Sequence, residues 1–245
     1  MIMAEEKANL YKLFWENSKL NSSNIKEFSK SLEEFYMKES YASRLQYATD
    51  DLFLKKPRDG LMHYMEQRRS IRAFSEKPVS GKLLGALMSA FIETGGGHRT
   101  YASGGARFPV EIFCFMNNVE GSLNRKITYY NCDNHSLSIV GDLPVWTAYK
   151  DYLCFDAEHG MPSLLFIFAI LPERMTDKYG ERGGRFALIE VGHAVQNLAL
   201  RIAKESMAGV ELGGLFDDKM KAMLKLDGTT AQIVLGYAVG HIPKK

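Results

Sequence analysis

Cysteine is scarce in this 245-residue chain: Cys114, Cys132 and Cys154 are the only three, far apart and without a Cys-x-x-Cys pair. An odd, sparse count excludes a disulfide framework or a zinc site built on cysteine, and it points to reduced thiols in the cytoplasm. An excess of either charge is missing too. Lys plus Arg number 31 against 29 Asp plus Glu, a net charge of +2, so nothing electrostatic favours nucleic acid or an anionic membrane as the main partner. Long apolar runs are absent. Stretches such as Leu164–Leu171 are strand-sized, well short of the about 18 residues of a membrane span. The N-terminal Met-Ile-Met-Ala-Glu-Glu-Lys lacks the basic-then-apolar order of a secretory signal. His63, His98, His135, His159, His193 and His241 show no metal-ligand spacing. No Walker loop occurs, and no Gly-x-Gly-x-x-Gly joins a strand to a helix, so a dinucleotide site is unsupported. What remains is ordinary globular composition, 46% apolar and 24% charged, enough for a core and for a soluble intracellular protein of α/β type.

Helical periodicity opens the chain. Leu10, Leu13 and Phe14, then Ile25, Phe28, Leu32 and Phe35, recur at spacings of three and four, with Ser22-Ser23-Asn24 available as a cap. This arm, residues 1–60, ends in a polar, Pro-containing stretch at 50–60 and packs either on the rest of the chain or on a second subunit. The rest, 61–245, alternates helix and strand. Helices are expected at Leu61–Arg69, at Ser80–Thr94 (inner face Leu83, Leu84, Leu87 and Phe91, ended by Gly95-Gly96-Gly97), at Phe186–Glu205 (stripe Leu188, Val191, Val195, Leu198 and Ile202) and at Lys219–Leu226. Strands are expected at Val110–Met116, Ser163–Leu171 and Ala231–Gly240. The segment 117–161 carries little pattern and reads as loops with a short helix.

Four clusters hold residues suited to chemistry. Arg68, Arg69, Ser70 and Arg72 offer three guanidinium groups and a hydroxyl within five residues, a donor set for a phosphate; the same run also reads as a solvated basic turn. Ser103, Gly104, Gly105 and Ala106 form a small-residue turn whose backbone N–H groups a ligand can approach, or a loop that needs glycine for its dihedral angles. Gly213 and Gly214 form a second such turn, leading into a helix that starts with Asp217 and Asp218. Lys178 and Tyr179 precede Gly180–Gly184, read as a flexible link into the long helix. Such a pair serves proton transfer if held in a dry site, and is otherwise a surface loop. His193 reads as a packed or hydrogen-bonded residue.

Taken in order, Arg-Arg-Ser-Ile-Arg-Ala-Phe, a glycine-ended helix, and His-Arg-Thr-Tyr-Ala-Ser-Gly-Gly-Ala-Arg-Phe-Pro-Val-Glu-Ile-Phe resemble the FMN-dependent nitroreductase superfamily. More narrowly, the chain is similar to its SagB-type branch, flavin dehydrogenases that oxidise thiazolines and oxazolines to thiazoles and oxazoles in ribosomally made peptides. Arg99 and Ala102–Glu111 match one segment of that branch. Lys178-Tyr179 followed by a glycine/arginine link, then Gly192-His193-Ala194-Val195-Gln196-Asn197, match the others. Ala102 stands where proline is usual, and Phe108 where tyrosine is common. The likeness covers about Arg68 to Gly240, and more loosely Leu13–Lys19.

The resemblance implies an α+β sandwich, a mainly antiparallel central sheet with flanking helices, in an intertwined homodimer with FMN at the subunit interface. It assigns Arg68, Arg69, Ser70 and Arg72 to the FMN phosphate and ribityl chain, Ser103–Ala106 to the flavin lining, Gly213 and Gly214 to the ring, Gln196 to a further flavin contact, and Lys178 and Tyr179 to catalysis. Superfamily members often extend past the last strand to reach the partner's phosphate. This sequence stops at Lys245, where Lys244 or Lys245 would have to stand in. An azoline-bearing precursor peptide, a cyclodehydratase and a leader-peptide-binding subunit are the implied partners. Removing a ring proton next to the C=N group, with hydride transfer to the flavin, needs a base, and Lys178 is the expected one if burial or Arg182 and Arg185 lower its pKa. Two other readings stand beside this one: an NAD(P)H-dependent reductase of nitroaromatics, quinones or enones, and a non-catalytic scaffold subunit.

Overall fold

The computed structural model describes residues 9–36, 53–155 and 160–244. The start of the stretch expected at 50–60, His159 and Lys245 lie outside them. In chain order come α1 (Leu10–Ser18), α2 (Ile25–Tyr36), α3 (Gly60–Gln67) and α4 (Gly81–Met88), then a small ribbon of β1 (Glu93–Gly95) and β2 (His98–Arg99). β3 (Val110–Met116), β4 (Lys126–Asn131), β5 (Ser136–Asp142), α5 (Trp146–Tyr149) and β6 (Leu164–Ile170) follow. The chain closes with α6 (Glu173–Tyr179), α7 (Arg182–Lys204), β7 (Ala208–Leu212), α8 (Asp217–Met223) and β8 (Gln232–Gly240). Among the described residues no helix is long and apolar enough to cross a membrane.

The large sheet has six strands in the order β5-β4-β3-β6-β8-β7, every neighbouring pair antiparallel. The architecture is the expected α+β sandwich. Its centre is β6, where all seven residues are fully buried, as an unbroken apolar run requires when both faces of a strand are covered. Alternation then sorts the side chains. Leu164, Phe166, Phe168 and Ile170 face α4 and α7, joining Leu84, Leu87, Phe91, Val191, Leu198 and Ile202. Leu165, Ile167 and Ala169 face the opposite layer, with Tyr149 of α5 and Met220 and Leu224 at α8. Removing Phe166, packed on Phe91 at 6.1 Å between ring centroids, costs about 3–5 kcal/mol by cavity formation.

Local chemistry explains the helix ends. The Ser80 hydroxyl accepts from Leu83 N–H (3.3 Å) and starts α4. That helix stops short of the expected Thr94: a 3-10 turn at Ser89–Phe91 and extended Ile92 (φ −63°, ψ 145°) follow, and Glu93 N–H donates to the Cys132 carbonyl (2.9 Å). The cap of α2 differs as well, since Asn21 accepts from the Ser23 and Asn24 N–H groups.

Two further expectations differ from the structure. The segment 117–161 holds the short α5 but also the β4–β5 hairpin. Ser136, Ser138, Gly141 and Asp142 make β5 an edge strand with little buried surface, so its apolar alternation is faint and backbone pairing with β4 forms it. The stretch Gly180–Gly184 is a tight corner instead of a flexible link. Gly180 (φ 57°) ends α6, while Gly183 and Gly184 lie inside α7 because helices pack there without room for a side chain. A Cβ on Gly183 would sit 2.6 Å from the Met175 backbone, and one on Gly184 would strike the Tyr11 ring.

Candidate functional site

That corner places Lys178 and Tyr179 on the last turn of α6. Tyr179 is half-buried and meets Phe186 of α7 edge to face (centroids 5.1 Å apart, 89°), and the Arg182 guanidinium lies over the Phe186 ring, 5.8 Å from its centre. Lys178 is exposed, with Nζ 5.3 Å from the centre of the Tyr179 ring. The burial within its own chain that was one of the two conditions expected of a lysine base is therefore absent.

The glycine turn comes to this pair. Gly105 takes φ +62°, a conformation glycine adopts freely. A Cβ added there would stand 2.6 Å from Lys178 Nζ and would collide with the Tyr179 hydroxyl. Gly104 packs under Met175, whose Cε would be 3.0 Å from such a Cβ. Ala106 (φ 55°) and Phe108 (φ 44°) also adopt the left-handed region, so Ser103–Phe108 is held against its own preference.

A polar clip supplies the hold. Arg174, one helical turn before Lys178, donates through Nη1 to the Phe108 carbonyl (2.7 Å) and pairs with Glu111 Oε1 (2.6 Å). The Tyr129 hydroxyl donates to Glu111 Oε2 (2.7 Å). Burial first, then Glu111, push the Tyr129 phenol upward, so it remains a donor. Arg107 Nε returns a bond to the Arg174 carbonyl (2.8 Å). Ser103 Oγ accepts from Phe108 N–H (2.8 Å) and closes the loop.

The opposite side of the loop lies along α7. Asn197 donates to the Thr100 carbonyl (2.8 Å), His193 Nδ1 lies 3.4 Å from the Ala102 carbonyl, and Phe186 backs Gly104. Between them, Glu190 is 2% exposed and neither carboxylate oxygen completes a hydrogen bond. Loss of water raises its pKa from the ordinary 4.5 to about 7; the nearby Ser103 hydroxyl, Gly104 N–H, Arg99 and His193 oppose the shift without cancelling it. His193 is exposed on α7 and, of the two expected alternatives, is the hydrogen-bonded residue instead of a packed one; among the described residues no cluster of His, Cys, Asp and Glu suits a metal ion.

The other candidates group around β7. Ile71 N–H donates to the Gly209 carbonyl (2.9 Å), laying Arg68–Arg72 beside the start of the strand. Arg68 is half-buried; Arg69, Ser70 and Arg72 are exposed. Arg69 Nη1 donates to the Glu66 and Arg68 carbonyls (2.6 and 2.9 Å). Gly213 and Gly214 follow the strand's other end. A side chain on Gly214 would run into Cys154 (Sγ at 2.8 Å), whereas Gly213 has open space. Gln196 sits on the exposed face of α7. Among the described residues no hydrogen bond or ion pair joins this group to the Gly105–Lys178–Tyr179 cluster.

Glu190 and Arg174 were not among the residues singled out from the sequence. Glu190 had a signal: a carboxylate one position before Val191, on the apolar side of the long helix. Arg174 had none, because α6 itself lacks apolar periodicity.

The protein MJ1384 of Methanocaldococcus jannaschii, named as a nitroreductase, is 27% identical over 162 residues, 65% of this chain and 81% of that protein. The microcin B17-processing protein McbC of Escherichia coli is 26% identical over 162 residues, 64% of this chain and 60% of McbC. Among solved structures, the E. coli microcin synthetase McbBCD complex with truncated pro-MccB17 bound has a chain that superposes with a TM-score of 0.65 at 21% identity, over 91% of this chain and 95% of that one. The model of the Nitroreductase family matches residues 65–241, from the last turn of α3 to the residue after β8, and the chain belongs to that family.

Proposed function

We propose that this protein is an FMN-dependent dehydrogenase that oxidises thiazoline or oxazoline rings to thiazoles or oxazoles in a ribosomally made peptide. The observation that carries the reading is the convergence of Lys178 and Tyr179 on Gly105: a cation and a phenol brought by helix packing onto a loop that has no side chain of its own. Similarity to McbC supports the peptide-modifying context.

The residues fit FMN. Arg68, Arg69, Arg72 and Ser70 form a donor set matched to a phosphate dianion, and β7 links them to Gly213, where no neighbour stands within 4 Å of a built Cβ. Ser103–Ala106 and Gln196 complete the proposed lining. When bound, FMN supplies the acceptor for the hydride lost by the ring. Lys178 takes the ring proton at Nζ, and Tyr179 orients or relays it through its hydroxyl, so that proton and hydride together account for the two hydrogens removed.

The split into two groups supports a site completed by a second copy. Ile189 is 55% exposed on α7, and Gly192 and Gln196 share that exposed side; a homodimer covers it and removes water from Lys178. Residues 1–60 then act as an arm and 61–245 as the FMN-binding domain, working in the cytoplasm beside a cyclodehydratase and a leader-peptide-binding subunit.

Mass spectrometry of an azoline-bearing peptide incubated with the protein and FMN, with and without the cyclodehydratase, tests this. Loss of two hydrogens per ring, absent in Lys178→Ala, is expected. An unchanged peptide with a flavin rapidly bleached by NADPH overturns the reading in favour of a reductase. An unchanged peptide and a colourless protein overturn it in favour of a scaffold.

A further inference from the structure

The first helix touches both halves of the candidate site. α1 rests on the rest of the chain through Tyr11 and Trp15, one helical turn apart with ring centroids separated by 6.2 Å. Trp15 is buried in the core, while Leu13 and Phe14 stay exposed. At the N-terminal end, Leu10 N–H donates to Glu181 Oε1 (2.9 Å), and the Tyr11 ring occupies the space that Gly184 leaves open. The Tyr11 hydroxyl donates to Gln232 Oε1 (2.6 Å), fixing the ring to the first residue of β8. Just past the C-terminal end, Leu20 pairs with Phe216 in a parallel bridge, and Leu20 N–H donates to Asp217 Oδ2 (3.0 Å). Lys19 Nζ lies 3.2 Å from Asp218 Oδ1. Glu181 stands two residues past Tyr179, and Phe216 two residues past Gly214. The nine residues of α1 span about 14 Å between these anchors at 1.5 Å per residue.

We propose that α1 is a strut, with Tyr11 and Asp217 as its positioning residues, that holds the corner carrying Lys178 and Tyr179 at a fixed distance from the Gly213–Gly214 turn. The anchors differ in chemistry. One is an aromatic ring seated in a slot of α7 that has no side chain, and the other is a backbone N–H held by a carboxylate at the start of α8. A helix released at either end stops restraining the other, so the two halves of the site loosen together. The strut stands on its contacts alone; its consequence for catalysis, the spacing of the base from the ring-facing turn, rests on the azoline-dehydrogenase reading.

Amide hydrogen exchange of the full-length, cofactor-free protein tests the strut. The corner reports through the Gly180, Gly183 and Gly184 N–H groups, bonded to the Thr176, Gly180 and Glu181 carbonyls, and the turn through Phe216 N–H, bonded to the Tyr152 carbonyl. D217A is expected to speed exchange at the corner, and Y11A at Phe216, each by about tenfold, the scale of one lost hydrogen bond. D217N keeps an oxygen for Leu20 N–H and Y11F keeps the ring on Gly184, so both retain the wild-type rate at the remote end. Changes confined to the mutated end overturn the proposal. Should either alanine variant fail to fold by circular dichroism, E181A at an exposed position replaces it, and an unchanged Phe216 rate there overturns the proposal. With FMN and an azoline-bearing peptide, Y11A and D217A each lower kcat about tenfold at unchanged KM. The double variant falls no further, because a strut released at one end has nothing left to hold at the other. A multiplied loss of about a hundredfold in the double variant, or a rise in KM alone, overturns the positioning role. A wild type that leaves azolines intact defeats the dehydrogenase reading, and the exchange rates then decide the strut by themselves.

Discussion

Lys178 Nζ stands over Gly105 so closely that a methyl group on that glycine would lie 2.6 Å from it, with the Tyr179 hydroxyl closer still. The loop and the helix end are far apart in sequence, and the absence of a side chain at one position makes room for two at the other.

Gly105→Ala tests that dependence. The φ of +62° costs an alanine about 1–2 kcal/mol, and the flexible lysine tip must swing aside. Modest destabilisation is expected, with a fall of about 1–2 kcal/mol in urea unfolding. Azoline oxidation is expected to drop at least tenfold, because displacement by an ångström is costly to a positioned base. Full activity in a stable Gly105→Ala protein would show that the pair acts elsewhere.

Within α7, two glycines carry opposite expectations. Gly183→Ala drives a Cβ to 2.6 Å from the Met175 backbone, which cannot step aside, so a loss of about 2–3 kcal/mol is expected from overpacking. Gly192→Ala meets nothing within 4 Å, and replacing a helical glycine there adds about 0.5–1 kcal/mol. Thermal melts of the two variants should move in opposite directions. If Gly192→Ala also destabilises, that face of the helix is covered in solution, as a second subunit would cover it.

Much of this was legible in the sequence where one physical signal dominated. The apolar run of β6 and the Val191–Leu198–Ile202 stripe of α7 declare themselves by burial alone. The Ser103–Ala106 turn showed in its composition. The β4–β5 hairpin did not, since its edge strand takes its shape from paired backbone and buries few side chains. Gly180–Gly184 misled for a related reason: glycine permits flexibility and also permits close packing, and only the Met175 backbone and Tyr11 ring decide which. The meeting of Gly105 with Lys178 is a tertiary fact that no local pattern encodes.

The clip between loop and helix should be measurable apart from the base. Arg174→Met keeps the length of the side chain but removes the donors to Phe108 O and Glu111. Glu111, largely buried, keeps only the Tyr129 hydroxyl. A partly buried pair broken on one side should cost about 1–3 kcal/mol. Phe108, at φ 44°, would then relax toward ordinary backbone. Denaturant unfolding gives the first quantity. Faster proteolysis at Arg107 relative to the wild type reports the second, and unchanged cleavage there would show that the strain is held by Ser103 alone.

Glu190 gives a pH dependence whose sign follows from its environment. In the unfolded chain its carboxyl titrates near 4.5, and in the fold near 7. Below the first value both states are protonated and folding pays nothing for the group. Between the two, the folded chain keeps a proton that the unfolded chain releases, so this contribution to stability falls as pH rises and levels off above about 7. E190Q removes the penalty, since its amide stays neutral. At about 1.4 kcal/mol for each tenfold change in proton affinity, the stability of E190Q relative to the wild type should rise by roughly 2–3 kcal/mol between pH 5 and pH 8 in urea titrations. The charged form of Glu190 is therefore one the fold carries at a cost, and a stability difference that stays flat across this range would mean that the native chain does not hold the group neutral.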